Sequence, residues 1–312
     1  LLDRLLVAGI IDNSTCQLSK QEPLPGKPYA LPRLAPHLLD RAVKEGHKGE
    51  IVHSTIDGYL QERVNFMVEK HHRHLRANEI HNAAVIVIEV ESGKVLSYVG
   101  NTENDNHKEY GSDVDVIMAP RSTGSVLKPF LYCGMLNDGE ILPGTLVPDV
   151  PTDIGGYSPQ NFNRGYDGAV PARRALARSL NIPCVRMLQN YRTERFHTLL
   201  GKLGMTTLTH PPGHYGLSLV LGGAEGKLWE MAGIYAGMAR TLNRYNRTGY
   251  YVRNDFHPPE FSFPLEQRDT LPRGESGIFD AGSIFLTFEA MQEASRPDED
   301  AGTSDTFARR AA

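Results

Sequence analysis

Ser125 and Lys128 stand three residues apart in Arg121-Ser-Thr-Gly-Ser-Val-Leu-Lys-Pro-Phe130. On one helical turn, positions i and i+3 share a face, so serine Oγ and lysine Nζ can meet. An ammonium held against apolar surface, at the positive end of a helix, is disfavoured. As a neutral amine it can take the serine's proton and make a nucleophile without histidine. The plainer reading is that Ser125 caps the following helix and Lys128 is a solvated first-turn residue; Pro129 fits both, being tolerated near a helix start. A second polar motif, Ser179-Leu-Asn181, lies between a helical run ending at Arg178 and another opening at Ile182-Pro183. A polar tip between two helices can point a hydroxyl and an amide into a cleft, though capping alone also explains it.

The elements that must position these residues are legible as patterns. Residues 1–50 read as a connector: a short amphipathic stretch, Leu1 to Ile11, then Asp12-Asn13-Ser14, then Pro23, Pro25, Pro28, Pro32 and Pro36. Proline at that density prevents regular helix. From Ser54 a helical stripe of Ile56, Leu60, Val64, Met67 and Val68 begins, with charges opposite. Residues 82–90 and 95–99, joined by Glu91-Ser-Gly-Lys94, predict a β-hairpin whose first strand is apolar on both faces and belongs mid-sheet. Helical patterns follow at 125–137, 171–178, 184–191, 194–203, 226–242 and 282–294, with a Gly/Pro/Tyr-rich loop from Pro143 to Asp167. One early hairpin followed by many helices predicts an α+β fold, an antiparallel sheet with flanking helices.

At 312 residues, 40% hydrophobic and 22% charged, the chain reads as an ordinary globular protein with ample length for a core. A net charge of -4 argues against a nucleic-acid partner. The longest clean apolar run, Ala83 to Ile88, is strand-sized. A first residue of Leu and no leader pattern suggest a piece of a longer protein, whose upstream anchor would not be visible. Cys16, Cys133 and Cys184 lack metal-ligand spacing and leave at least one thiol unpaired. The Lys70-His-His-Arg-His74 run reads as a solvated helix face rather than a metal site, and no metal or cofactor is expected. Gly222-Gly-Ala-Glu-Gly-Lys227 falls one residue short of a phosphate loop and has Leu228 where Ser or Thr belongs. Trp229 and Tyr235 read as core.

SxxK and SxN together are the first two members of the set used by penicillin-binding proteins and serine β-lactamases. The segment Arg121 to Tyr132 resembles the nucleophile segment of class A penicillin-binding proteins. Pro148-Asp-Val-Pro-Thr-Asp153, Pro159-Gln-Asn-Phe162 and residues 175–183 resemble the stretch leading to the family's SxN. Residues 215–225 and Leu34-Ala-Pro-His-Leu-Leu-Asp40 are similar to the penicillin-binding protein 1C subgroup. The resemblance runs from about residue 1 to 304.

It implies a transpeptidase domain over 51–312, cut short at its C-terminus, with 1–50 linking to an absent glycosyltransferase domain. The implied fold is an antiparallel sheet with flanking helices and an all-helical subdomain. The implied reaction is cross-linking of peptidoglycan stem peptides through a Ser125 acyl-enzyme, blocked by β-lactams. Lys128 would be the base, Ser179 the relay to the leaving amine, and Asn181 the holder of Lys128 and the substrate amide. Family members are membrane-anchored and work at the periplasmic face of the inner membrane.

The family's third motif, Lys-Thr-Gly, is replaced. By resemblance its place is Asp300-Ala-Gly-Thr-Ser304, where Gly302, Thr303 and Ser304 fit but Asp300 and Ala301 do not. A carboxylate there would repel the substrate's terminal carboxylate, whereas an oxyanion hole built from the N–H groups of Ser125 and Thr303 would survive. Arg247-Thr-Gly249 is a chemical surrogate in the wrong surroundings. The alternatives are therefore a catalytically impaired penicillin-recognition module, or a D,D-carboxypeptidase or β-lactamase. Against the β-lactamase, the 143–167 loop offers no motif-matched carboxylate to activate water.

Overall fold

A computed structural model describes residues 1–23, 32–102, 107–252, 255–263 and 277–294. The chain forms two compact units, Leu1–Arg33 and Leu34–Ala312. In the first, α1 (Leu2–Val7) packs on α2 (Asn13–Gln21). The polar Asp12-Asn-Ser stretch proves to be a helix start: the Asp12 carboxylate accepts the Thr15 N–H at 2.6 Å, satisfying one of the orphan donors of α2.

The second unit includes residues 34–50, expected as connector. There α3 (Pro36–Lys44) starts on proline, whose missing N–H costs nothing at a first helical position. Its Leu38 and Ala42 join the core, and Arg41 stacks 3.7 Å from the Trp229 ring centroid. The helix α4 (Gly58–Leu75) is capped by Asp57, which accepts the Leu60 N–H at 2.9 Å. Its buried stripe is Gln61, Val64, Val68 and His72, while Met67 is exposed. Gln61 is inside because its amide stitches the helix to a strand: Oε1 accepts from Tyr98 N at 2.7 Å, and Nε2 donates to Tyr98 O at 3.2 Å. His72, expected on a solvated face, is fully buried.

The predicted hairpin forms as β1 (Val85–Ile88) and β2 (Val95–Val99), antiparallel, with Val85 opposite Val99. Both faces of β1 meet apolar side chains, Val85 and Val87 facing Val64 and Val68, and Ile86 facing the Tyr98–Trp229 cluster. Yet β1 is only half-buried, because among the described residues it has a strand neighbour on one side only. The inner strand is β2, which also bridges to Glu260 through the Val95 N–H.

Beyond the four-residue α5 (His107–Tyr110) come β3 (Arg121–Ser122), α6 (Lys128–Asn137), β4 (Leu146–Asp149), β5 (Gly168–Pro171), α7 (Ala172–Ala177), α8 (Asn181–Tyr191), α9 (Thr193–Leu203) and α10 (Pro212–Tyr215). These are followed by β6 (Glu225–Gly226), α11 (Leu228–Thr248) and α12 (Ala281–Gln292). Two further antiparallel pairs form, β3 with β6 and β4 with β5. The helical core is built around α6, buried on every side from Lys128 to Met135. A helix apolar all round belongs inside a bundle, and α6 contacts α7, α8, α9 and α12. Close approach requires Gly134: a Cβ there would lie 2.7 Å from Leu199 Cδ2. The fold is α+β.

Candidate active site

Ser125 sits in the turn between β3 and α6. The turn is tied back at both ends: Thr123 N–H and Oγ1–H both donate to Ala224 O at 3.1 Å, and Lys128 N–H donates to Ser125 O at 3.2 Å. Tyr235, expected as core, donates its hydroxyl to Val126 O at 3.0 Å. The phosphate-loop lookalike is explained here. Gly222, at φ +99°, lies so close to the turn that a Cβ would fall 2.7 Å from Gly124 N. The glycine is needed for that approach and for its left-handed backbone. Ser125 itself is exposed.

Lys128 is the first residue of α6 and is 1% exposed. Its Nζ donates to Ser179 O at 2.6 Å, Ser179 Oγ at 3.1 Å and Asn181 Oδ1 at 2.7 Å. Burial pulls its pKa below the ordinary lysine value, only partly opposed by the neighbouring Cys184. Burial pushes the Cys184 thiol up to about 11. The structure thus joins Lys128, Ser179 and Asn181 in one corner. Among the described residues, no hydrogen bond links Nζ to Ser125 Oγ; the amine turns to the α7–α8 junction instead. The geometry expected from i, i+3 spacing is replaced because better acceptors, a carbonyl and an amide oxygen, lie within reach of Nζ.

Ser179 owes its place to the end of α7. Its N–H donates to Leu176 O at 2.8 Å and the Leu180 N–H donates to Ala175 O at 2.9 Å. That is the Schellman pattern, which requires a left-handed residue after the C-cap and is usually completed by glycine. Here Ser179 takes it, at φ +51°, with Leu180 packed on Ala175 and Val170. Asn181 opens α8, and its Nδ2 donates to Gln160 O at 2.8 Å, which leaves Oδ1 for Lys128.

Sequence reasoning missed two residues behind Asn181. Asn161 Oδ1 accepts the N–H groups of Asn181 at 2.9 Å and Ile182 at 3.2 Å. Asn161 Nδ2 donates to Asp149 Oδ1 at 2.8 Å and Gly165 O at 3.0 Å. Both side chains are buried. The available signal was the family-like segments in which they sit, 148–153 and 159–162.

Gly302, Thr303 and Ser304, with Asp300 and Ala301, lie outside the described residues. The surrogate Arg247-Thr-Gly249 is a helix end: Gly249, at φ +70°, returns its N–H to Tyr245 O, and Arg247 pairs with Glu91 at 2.6 Å. All three cysteines are buried and free. Among the described residues, no group of three His, Cys, Asp or Glu side chains could hold a metal ion.

Comparison with known proteins decides the family. The penicillin binding protein transpeptidase domain matches residues 83–229. These residues are a transpeptidase domain of the penicillin-binding protein family. The chain is 35% identical to penicillin-binding protein 1C of Escherichia coli over 77% of its own length and 30% of that protein's. It is 32% identical to penicillin-binding protein 1B of Vibrio cholerae over 39% of its length and 16% of the relative's. The chain therefore spans less than a third of the length of these relatives. In fold it resembles the TP domain of Burkholderia pseudomallei penicillin-binding protein 3, with a TM-score of 0.58 and 18% identity, covering 77% of this chain and 69% of that one. It also resembles the penicillin-binding protein PonA1 of Mycobacterium tuberculosis, with a TM-score of 0.62 and 21% identity, covering 83% and 70%.

Proposed function

We propose that this domain cross-links peptidoglycan stem peptides as a serine D,D-transpeptidase. The observation that carries the reading is the Lys128 amine, buried and held by Ser179 and Asn181 one turn from an exposed Ser125. As a neutral amine, Nζ spends its two N–H bonds on Ser179 O and Asn181 Oδ1, which can only accept. Its lone pair is then left for a hydroxyl.

In the first half-reaction Ser125 Oγ attacks the carbonyl between the two D-alanines and its proton passes to Nζ. The C–N bond breaks, the leaving D-alanine amine is protonated by way of Ser179 Oγ, and an ester remains on Ser125. An amine from a neighbouring stem then attacks the ester, restoring Ser125 and forming the cross-link. The Ser125 N–H serves one side of the oxyanion hole. β-Lactams acylate Ser125 by the same route. The work belongs at the periplasmic face of the inner membrane; among the described residues, no helix is long and apolar enough to cross a membrane.

Hydrolysis of the acyl-enzyme is the weaker reading, because every carboxylate of the 143–167 loop is engaged. Asp149 holds Asn161, Asp153 accepts from Ser158 and Gly156, and Asp167 pairs with Arg178. An impaired recognition module is favoured by Asp300 and Ala301, which replace the cation that would bind the substrate carboxylate. The test is covalent labelling by a fluorescent penicillin. The folded chain should be labelled and Ser125→Ala should not be; a folded wild-type chain that takes no label would transfer the case to the impaired module.

A further inference from the structure

We infer that Asp149 and Asn161 are positioning residues that set the direction in which Asn181 presents its amide oxygen to Lys128. The inference deepens the transpeptidase reading and rests on it for its kinetic arm. The geometry is a single line of bonds. Asp149, 1% exposed at the end of β4, accepts the Asp167 N–H at 3.0 Å on one carboxylate oxygen and Asn161 Nδ2 at 2.8 Å on the other. With Gly165 O also accepting from that nitrogen, both amide hydrogens of Asn161 are committed to acceptors.

The Asn161 amide oxygen is thereby forced to the opposite side, where it receives the first two N–H groups of α8. These are donors a helix leaves unpaired, and no residue of α8's own N-cap serves them with a side chain. A flipped Asn161 would set its NH2 against those N–H groups and lose both bonds, so Asp149 enforces one orientation. Asn181 is the residue whose backbone is gripped. With its N–H held by Asn161 and its Nδ2 by Gln160 O, its Oδ1 is left for the Lys128 amine. Neither Asp149 nor Asn161 is bonded to Lys128 or Ser125. Their effect on chemistry therefore runs through Asn181, and a small misplacement there is costly.

The experiment is acylation by a fluorescent penicillin, resolved into non-covalent affinity, acylation rate constant and final stoichiometry, on Asn161→Ala and on Asp149→Asn. The second variant keeps shape and packing and serves if the first does not fold. Beside it, Lys128 reactivity toward acetic anhydride is read by mass spectrometry on the same proteins, which needs no acyl-enzyme.

For Asn161→Ala the expected result is full stoichiometry, unchanged affinity, an acylation rate constant lower by ~10–100-fold, and a Lys128 acetylated several-fold faster as its cage loosens. Asp149→Asn should shift both readouts the same way by less. A fall in stoichiometry with a wild-type rate constant would make the pair merely structural and overturn the inference. If wild-type protein takes no penicillin, the transpeptidase reading fails separately and Lys128 acetylation decides: faster in the variants upholds the positioning, unchanged overturns it.

Discussion

The two halves of the candidate site are held in opposite ways. Lys128 is locked by side-chain and carbonyl acceptors, with three bonds to its Nζ from two residues on the α7–α8 junction. Ser125 has none of that; its turn is fixed through backbone bonds to Ala224 and through the contact of Gly124 with Gly222. The amine is oriented by polar satisfaction and the nucleophile by steric closeness. A group that must lose its charge in a buried place needs acceptors that tolerate both forms. A group that must meet substrate needs an open side chain on a rigid turn.

That contrast can be broken from either side. The largest expected effect is Lys128→Met, which keeps the bulk of the side chain but removes the base: acylation by a fluorescent penicillin should fall ~10²–10⁴-fold. Next is Gly222→Ala. Its Cβ would strike the Gly124 backbone at 2.7 Å and its φ of +99° is unsuited to alanine. A loss of ~1–3 kcal/mol in chemical denaturation is expected, together with acylation slowed ~100-fold by displacement of Ser125, while Lys128 stays shielded from acetic anhydride. Smallest is Ser179→Gly, which suits the left-handed position and removes the short CH2OH side chain. Stability should remain within about 1 kcal/mol of wild type, with acylation down about tenfold through loss of the relay. A Ser179→Gly protein that acylates normally would remove the relay from the mechanism.

How much of this was legible is best judged residue by residue. The apolar run after Lys128 announced α6, and the two motifs with their flanking segments named the family that matches residues 83–229. Spacing along one helix says nothing of acceptors fifty residues away, so the turn of Lys128 toward Asn181 was legible only through the family resemblance. Ser179 hid in the same manner: its left-handed backbone answers to the Schellman bonds of α7, a position where sequence rules look for glycine. Gln61 and His72 point inward against their polarity, and Gln61 does so because a strand backbone needed partners that no hydrophobic pattern encodes. Asp12, three residues ahead of Thr15, carries a cap signal for α2 within a stretch expected as connector. The third-motif segment, 300–304, lies outside the described residues, so Asp300 keeps only its sequence argument.

Catalysis by this site requires Lys128 to give up its proton more readily than a solvated lysine. A depressed pKa moves the appearance of the neutral amine to lower pH, so the base-dependent rate must rise with pH and level off early. The deciding measurement is the pH profile of the acylation rate constant of the wild-type chain with a fluorescent penicillin. The predicted profile climbs to a plateau whose midpoint lies below about 10.4, the ordinary lysine value. A midpoint at or above that value, or a rate indifferent to pH, would contradict the assignment of Lys128 as the base.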